Sequence, residues 1–104
     1  MTIASPTFAV EVTPGPAGWV VRVAGELDLA TVPDLDACLV ALDDDVVVDL
    51  AGLTFTDSTG IAALLRGRMR AAQRGRSFVL RSPADRVVKV LEIMGLDRVF
   101  TIEP

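Results

Sequence analysis

Hydrophobic and polar positions along this chain switch repeatedly between a period of two and a period near 3.6. Phe8 to Thr13 and Trp19 to Ala24 alternate or run apolar with β-branched residues, and Pro14-Gly15-Pro16-Ala17-Gly18 separates them. This predicts a strand, a turn and a second strand. Gly25 to Val32 reads as a loop holding Glu26 and Asp28. Pro33 suits the first position of a helix, where its missing N–H costs nothing. Leu35, Leu39 and Leu42 then share one helical face, and Asp43-Asp44-Asp45 ends it. Val46 to Leu50 predicts a short buried strand.

Ser58 to Gln73 predicts the second helix, closed by Gly75. Its apolar stripe reads as Ile61, Leu65, Met69 and Ala72, with Gly67 and Arg68 as departures. Ser77 to Arg81 is a strand. Ser82-Pro83 starts a third helix that runs to about Met94 and stops at Gly95, and Val99 to Ile102 is a final strand. The order β-β-α-β-α-β-α-β implies one small α/β domain, residues 1–104, with a mixed, mostly parallel sheet and right-handed crossovers. The strand C-terminal ends of such a sheet share one rim. Segments 25–32, 51–58 and 82–83 leave from it, so Asp28, Asp57 and Ser58 are expected to be neighbours.

Composition removes several function classes. The chain has no histidine, no tyrosine and one cysteine, Cys38. Ser-His-Asp catalysis, an internal disulfide and a multi-cysteine metal site are therefore excluded. Cys38 is expected in the core. The only lysine, Lys89, falls inside a predicted helix, where a phosphoryl-receiver mechanism has no use for it, and there is no Walker A loop. Asp43, Asp44 and Asp45 are consecutive and cannot easily converge on one ion. No enzymatic activity, cofactor or metal is expected. The net charge of −4 argues against nucleic acid as partner. No apolar run approaches the roughly 20 residues of a membrane span, and Met1 to Phe8 lacks the basic and apolar regions of a signal peptide. A soluble cytoplasmic domain without membrane insertion is the expectation.

The chemistry that remains is at the joint Asp57-Ser58-Thr59-Gly60. Asp57 or Ser58 suits the N-cap of the helix. The amides of Gly60 and Ile61 are expected to point toward the rim, where a phosphate on Ser58 would meet the positive end of the helix. Such a phosphate adds roughly −1.5 to −2 charge units without unfolding anything. Gly60 would let another protein approach closely. Thr59 is a weaker alternative acceptor, its hydroxyl able to bond backbone. A plainly capped helix that is never modified explains the same residues, and Asp28 reads equally as a loop cap.

The stretch Leu53-Thr54-Phe55-Thr56-Asp57-Ser58-Thr59-Gly60-Ile61 resembles the signature of the STAS domain family, specifically its anti-sigma factor antagonists. Val23-Ala24-Gly25-Glu26-Leu27-Asp28-Leu29-Ala30-Thr31 is similar to a second family stretch, and Gly95-Leu96-Asp97-Arg98-Val99-Phe100 to a third. The resemblance implies that Ser58 is phosphorylated by an anti-sigma factor that is also a serine kinase. The unphosphorylated antagonist would bind that kinase and free the sigma factor; the phosphorylated form would be released, and a metal-dependent serine phosphatase would reset it. It also places Asp28 near the phosphoacceptor and has Asp57 position the hydroxyl or the helix start. Family members often continue into a final helix, whereas this sequence stops at Pro104, right after the last predicted strand. A STAS accessory subunit of a transporter ATPase, or of a stress-sensing complex, is the alternative. Arg66, Arg70 and Arg74 recur every four residues on the second helix. They form a solvated face or, with Arg66 and Arg70 foremost, a docking stripe for an acidic partner.

Overall fold

The alternating valines decide the architecture. Val10 and Val12 pair across the sheet with Val23 and Val21, and Val21 pairs with Val48, so these side chains stand on one face, all buried. The structure, a computed structural model, describes residues 1–104. Its elements are β1 (Thr2–Ala4), β2 (Phe8–Gly15), β3 (Gly18–Leu27), α1 (Val32–Val40), β4 (Asp45–Thr56), α2 (Ser58–Gln73), β5 (Phe78–Arg81), α3 (Asp85–Ile93) and β6 (Thr101–Glu103). One sheet runs β1-β2-β3-β4-β5-β6 in chain order; the first three strands pair antiparallel and β3 to β6 pair parallel.

Sequential parallel strands joined by crossovers of one hand place every helix on the same side. The single core accordingly combines Val21, Val48 and Leu80 of the sheet with Leu35 and Leu39 of α1, Ile61 and Leu64 of α2, and Val87 and Leu91 of α3. The opposite face of the sheet carries no helix.

The sequence reading is corrected at several points. β1 is an additional strand at the start of the chain. β3 runs on to Leu27, so the loop before α1 is only four residues, 28–31. The strand expected over Val46 to Leu50 is twelve residues long and reaches Thr56. Ala51-Gly52 does not break it, because shifts in the β3–β4 register absorb the extra length and Gly52 lies against Ala24. Helix α3 begins at Asp85, after Ser82-Pro83, and the last strand begins at Thr101. The buried face of α2 is Gly60, Ile61, Ala63, Leu64, Gly67 and Ala71, while Met69 and Ala72 are exposed. Gly67 presses close at mid-helix: an added Cβ would lie 3.0 Å from both Leu39 Cδ1 and Phe78 Cε2. Arg68 flanks this face, lining a recess with Phe78 and Val79.

On the open face Asp49 stands between two arginines. Arg81 donates to it at 3.2 Å, Arg22 Nε lies 3.8 Å away, and the Ala51 amide donates to its other oxygen at 3.0 Å. Burial alone would raise its pKa; the Ala51 amide and the two guanidinium groups outweigh that and hold it below the ordinary carboxylate value. The fold therefore favours the ionised form. That contribution is complete above the unfolded value of about 3.9 and fades as pH falls through the lower folded one. Asp49→Asn is expected to lower stability at pH 7 by roughly 1.5–3 kcal/mol, the range for hydrogen bonds to charged groups. The difference from wild type should shrink as urea unfolding is repeated below the folded pKa. A gap that stays constant with pH contradicts this assignment.

Candidate functional site

Two turns leave adjacent parallel strands side by side. Leu27 of β3 pairs with Thr56 of β4, so the residues that follow, Asp28 and Asp57, emerge next to one another. Each aspartate organises its own turn. Asp28 Oδ1 accepts from the amides of Ala30 at 3.0 Å and Thr31 at 3.2 Å. The Thr31 hydroxyl donates to the Glu26 carbonyl at 2.8 Å and accepts from the Asp28 amide at 3.0 Å, closing the loop before α1. Gly25 begins this segment at φ +91°, and a Cβ there would sit 2.1 Å from the Thr7 carbonyl oxygen, so no other residue fits.

Asp57 is the N-cap of α2, extended at φ −113° and ψ −171°. Its Oδ1 accepts from the Thr59 amide at 3.0 Å, the Gly60 amide at 3.1 Å and the Thr59 hydroxyl at 2.5 Å. The Thr59 hydroxyl is the main cause of an Asp57 pKa below the ordinary value; slight burial opposes it and the two amides reinforce it. The Ile61 amide donates to the Asp57 carbonyl. The amides of Gly60 and Ile61, expected to be open to a phosphate, are thus already occupied by the cap. The reason is the short aspartate side chain, which reaches both N2 and N3 donors from the cap position.

Gly60 makes its close approach inward. A Cβ there would lie 2.1 Å from Thr56 Oγ1 and 3.0 Å from the Leu27 carbonyl oxygen. Its bareness lets α2 seat against the ends of β3 and β4; the expectation that it opens a path for a partner is corrected, since Gly60 is buried. Ser58 is exposed, and none of the bonds that tie Asp57, Thr59 and Thr31 involves its hydroxyl. Asp57 therefore sets the helix start, and Thr59 is engaged with Asp57. Neither Asp28 nor Asp57 has an ion-pair partner. Arg86 of α3 reaches this end of β4 but donates to the Thr54 carbonyl, at 3.1 Å. Leu29 and Phe55, 76% and 47% exposed, stand on the two strands' exits.

This pair of aspartate-held turns is matched by a STAS family model, described as "Mlab, STAS domain", over residues 11–103. The chain belongs to the STAS domain family. An anti-sigma-B factor antagonist of Staphylococcus epidermidis is 36% identical over 81 residues, 73% of this chain and 74% of that protein. Among solved structures, an anti-sigma factor antagonist from Mycobacterium paratuberculosis is 28% identical with a TM-score of 0.76, covering 98% of this chain and 91% of the other. The anti-sigma factor antagonist SpoIIAA in its unphosphorylated form is 29% identical with a TM-score of 0.69, covering 91% and 86%.

The other residues singled out in this STAS chain are placed elsewhere. Arg66 pairs with Asp36 of α1 at 2.9 Å, Arg74 donates to the Leu42 carbonyl at 3.3 Å, and Arg70 lines a recess between the two helices with Leu39 and Leu42. The stripe faces α1 along its length, away from Ser58. Cys38 is fully buried in the core, and burial raises its thiol pKa. No helix is long and apolar enough to cross a membrane. Thr56, buried with its hydroxyl on the Asp57 carbonyl, supports the site and drew no attention in sequence, where only its place before Asp57 marked it.

Asp57→Ala removes the cap and is expected to cost about 1 kcal/mol. Gly60→Ala, which drives a methyl into Thr56 and Leu27, should cost about 1–3 kcal/mol through overpacking. Thermal unfolding of the two variants checks both, and Gly60→Ala as stable as wild type would contradict the close approach.

Proposed function

We propose that this STAS domain is an anti-sigma factor antagonist switched by phosphorylation of Ser58. The observation that carries the reading is the free Ser58 hydroxyl on a rigid helix start whose neighbouring hydroxyls, Thr59 and Thr31, are both engaged. An anti-sigma factor serine kinase would transfer the terminal phosphoryl of ATP to Ser58 Oγ. The hydroxyl proton leaves to a base on the kinase, and ADP departs. A metal-dependent serine phosphatase would hydrolyse the ester and return the hydroxyl.

The rim's electrostatics support release after phosphorylation. The phosphate joins Asp28 and Asp57, which have no ion-pair partners, and the first helical amides are taken by the Asp57 cap. The new charge adds to two carboxylates that no ion pair holds, and is displayed to the partner. A kinase site that already holds nucleotide phosphates would repel it. Leu29 and Phe55 supply exposed apolar surface beside Ser58 for docking of the unmodified form. Arg66 and Arg70 would contribute only at the edge of that contact, since Arg66 is already paired.

The matched family model is named for MlaB and not for an antagonist, which favours a second reading. In it the domain is an accessory subunit of a transporter ATPase or a stress-sensing complex, docking through the same rim with no phosphate turnover.

Incubation with the cognate anti-sigma kinase and ATP separates the two. Mass spectrometry should find one phosphate, on Ser58, and none in Ser58→Ala despite the intact Thr59. Ser58→Asp should weaken kinase binding at least about tenfold, or 1.4 kcal/mol. Phosphate remaining on Ser58→Ala, or unchanged binding by Ser58→Asp, would overturn the assignment.

A further inference from the structure

We propose that the helix-free face of the sheet is a self-association surface that takes a second copy of this chain through an offset, charge-matched contact. The strand registers line its side chains into three transverse rows. The middle row is Glu11, Arg22, Asp49, Arg81 and Glu103, one residue from each of β2 to β6, directly paired across every strand boundary. Its charges alternate, negative at both ends. On one side of it runs a row with Val20, Val47 and Val79 at its centre, Val20 buried and the other two half-buried. On the other lie Ala9, Ala24 and Gly52, small and flat.

Within the chain Arg81 is bonded to Asp49 at 3.2 Å, whereas Arg22 donates to the Thr13 hydroxyl and reaches its carboxylate neighbours only loosely. Arg22 stands 3.7 Å from Glu11 and 3.8 Å from Asp49, and about half of its side chain is exposed. A second copy can complete those contacts when the symmetry axis lies between two strands. A twofold axis parallel to the strands keeps each row on its counterpart, as aligned packing of two sheets requires. With the axis on β4, Asp49 would meet Asp49 and Arg22 would meet Arg81, like against like. Moved half a strand spacing, between β3 and β4, it sets Arg22 against Asp49 of the second copy and Glu11 against Arg81 of the second copy. The same shift lays the exposed Ala24 on the exposed Gly52. The axis then passes through the middle of the six-stranded sheet, so the whole width overlaps. The charges thus exclude an axis on a strand, and overlap of the whole width selects the one between β3 and β4.

The size of the face sets the strength. Six strands about 4.8 Å apart and three rows about 7 Å apart span roughly 600 Å². A standard interface buries about 800 Å² per partner. The dimer is therefore weak and reversible, and it leaves the Ser58 rim, at the strand ends, uncovered. Its failure would leave the phosphorylation reading untouched.

Sedimentation velocity on the full chain tests the proposal. The average mass should rise toward that of a dimer as concentration approaches about 1 mM in low salt, and fall back in about 0.5 M salt, where charge pairs are screened. Arg22→Glu and Asp49→Arg should each stay monomeric, since each puts like charges across the axis. Mixed together they should associate again, because Glu at 22 then meets Arg at 49 and the native Asp49 meets the native Arg22. Ala24→Lys, on the exposed small row with no core contact, should also stay monomeric and covers the case of a charge variant that fails to fold. A wild type that remains monomeric throughout, a dimer that survives Ala24→Lys, or folded charge variants that do not associate on mixing would each overturn it.

Discussion

The site depends on one close approach: the first turn of α2 against the ends of β3 and β4. Gly60 has no side chain because Thr56 Oγ1 and the Leu27 carbonyl occupy the space a Cβ would need. That contact fixes the height of the helix above the sheet. It therefore fixes where Asp57 can cap it and which hydroxyl faces out. The parallel pairing of Leu27 with Thr56 then brings the Asp28 turn alongside. Two short motifs far apart in sequence become one surface through a single register.

The division of labour among the rim hydroxyls follows from that geometry. Thr31 closes the first turn, Thr59 closes the Asp57 cap and Thr56 braces the carbonyl behind it. Each is part of the scaffold. Ser58 is the one left to solvent, one residue into the helix with its backbone held on both sides. A group added there meets a helix start whose Thr59 and Gly60 amides are already bonded to Asp57. Under the proposed switch its charge would act outward on a partner. The low pKa of Asp57 belongs to the same arrangement, since the Thr59 hydroxyl and the two amides favour the ionised cap.

Much of this was legible in the sequence where local chemistry governs. Helix α2 has the limits that its Asp57 cap and Gly75 stop imply. The strand-turn-strand at the start and the order of alternating elements follow from periodicity. What periodicity could not show is how segments sit on one another. Ala51-Gly52 looks like a break in a strand, and only the β3–β4 register shifts carry β4 through it to Thr56. Met69 fits a helical stripe as well as Gly67 does, but the packing of Leu39 and Phe78 selects the glycine. The Gly60 amide looked available because the reach of the Asp57 side chain depends on its rotamer, whereas the Ile61 amide makes the helix's own first bond, to the Asp57 carbonyl. The charged row across the open face joins five strands and has no trace in any one segment.

The central claim is that modification of Ser58 changes the surface of a rim whose scaffold stays as it is. The most direct measurement is a comparison of backbone amide NMR spectra of the chain before and after stoichiometric phosphorylation at Ser58. The account predicts shift changes confined to the turns around Asp28 to Thr31 and Phe55 to Ile61, with hydrogen-exchange protection of β3, β4 and α2 unchanged. Shift changes spread through the sheet, or lost protection in the first turns of α2, would contradict it.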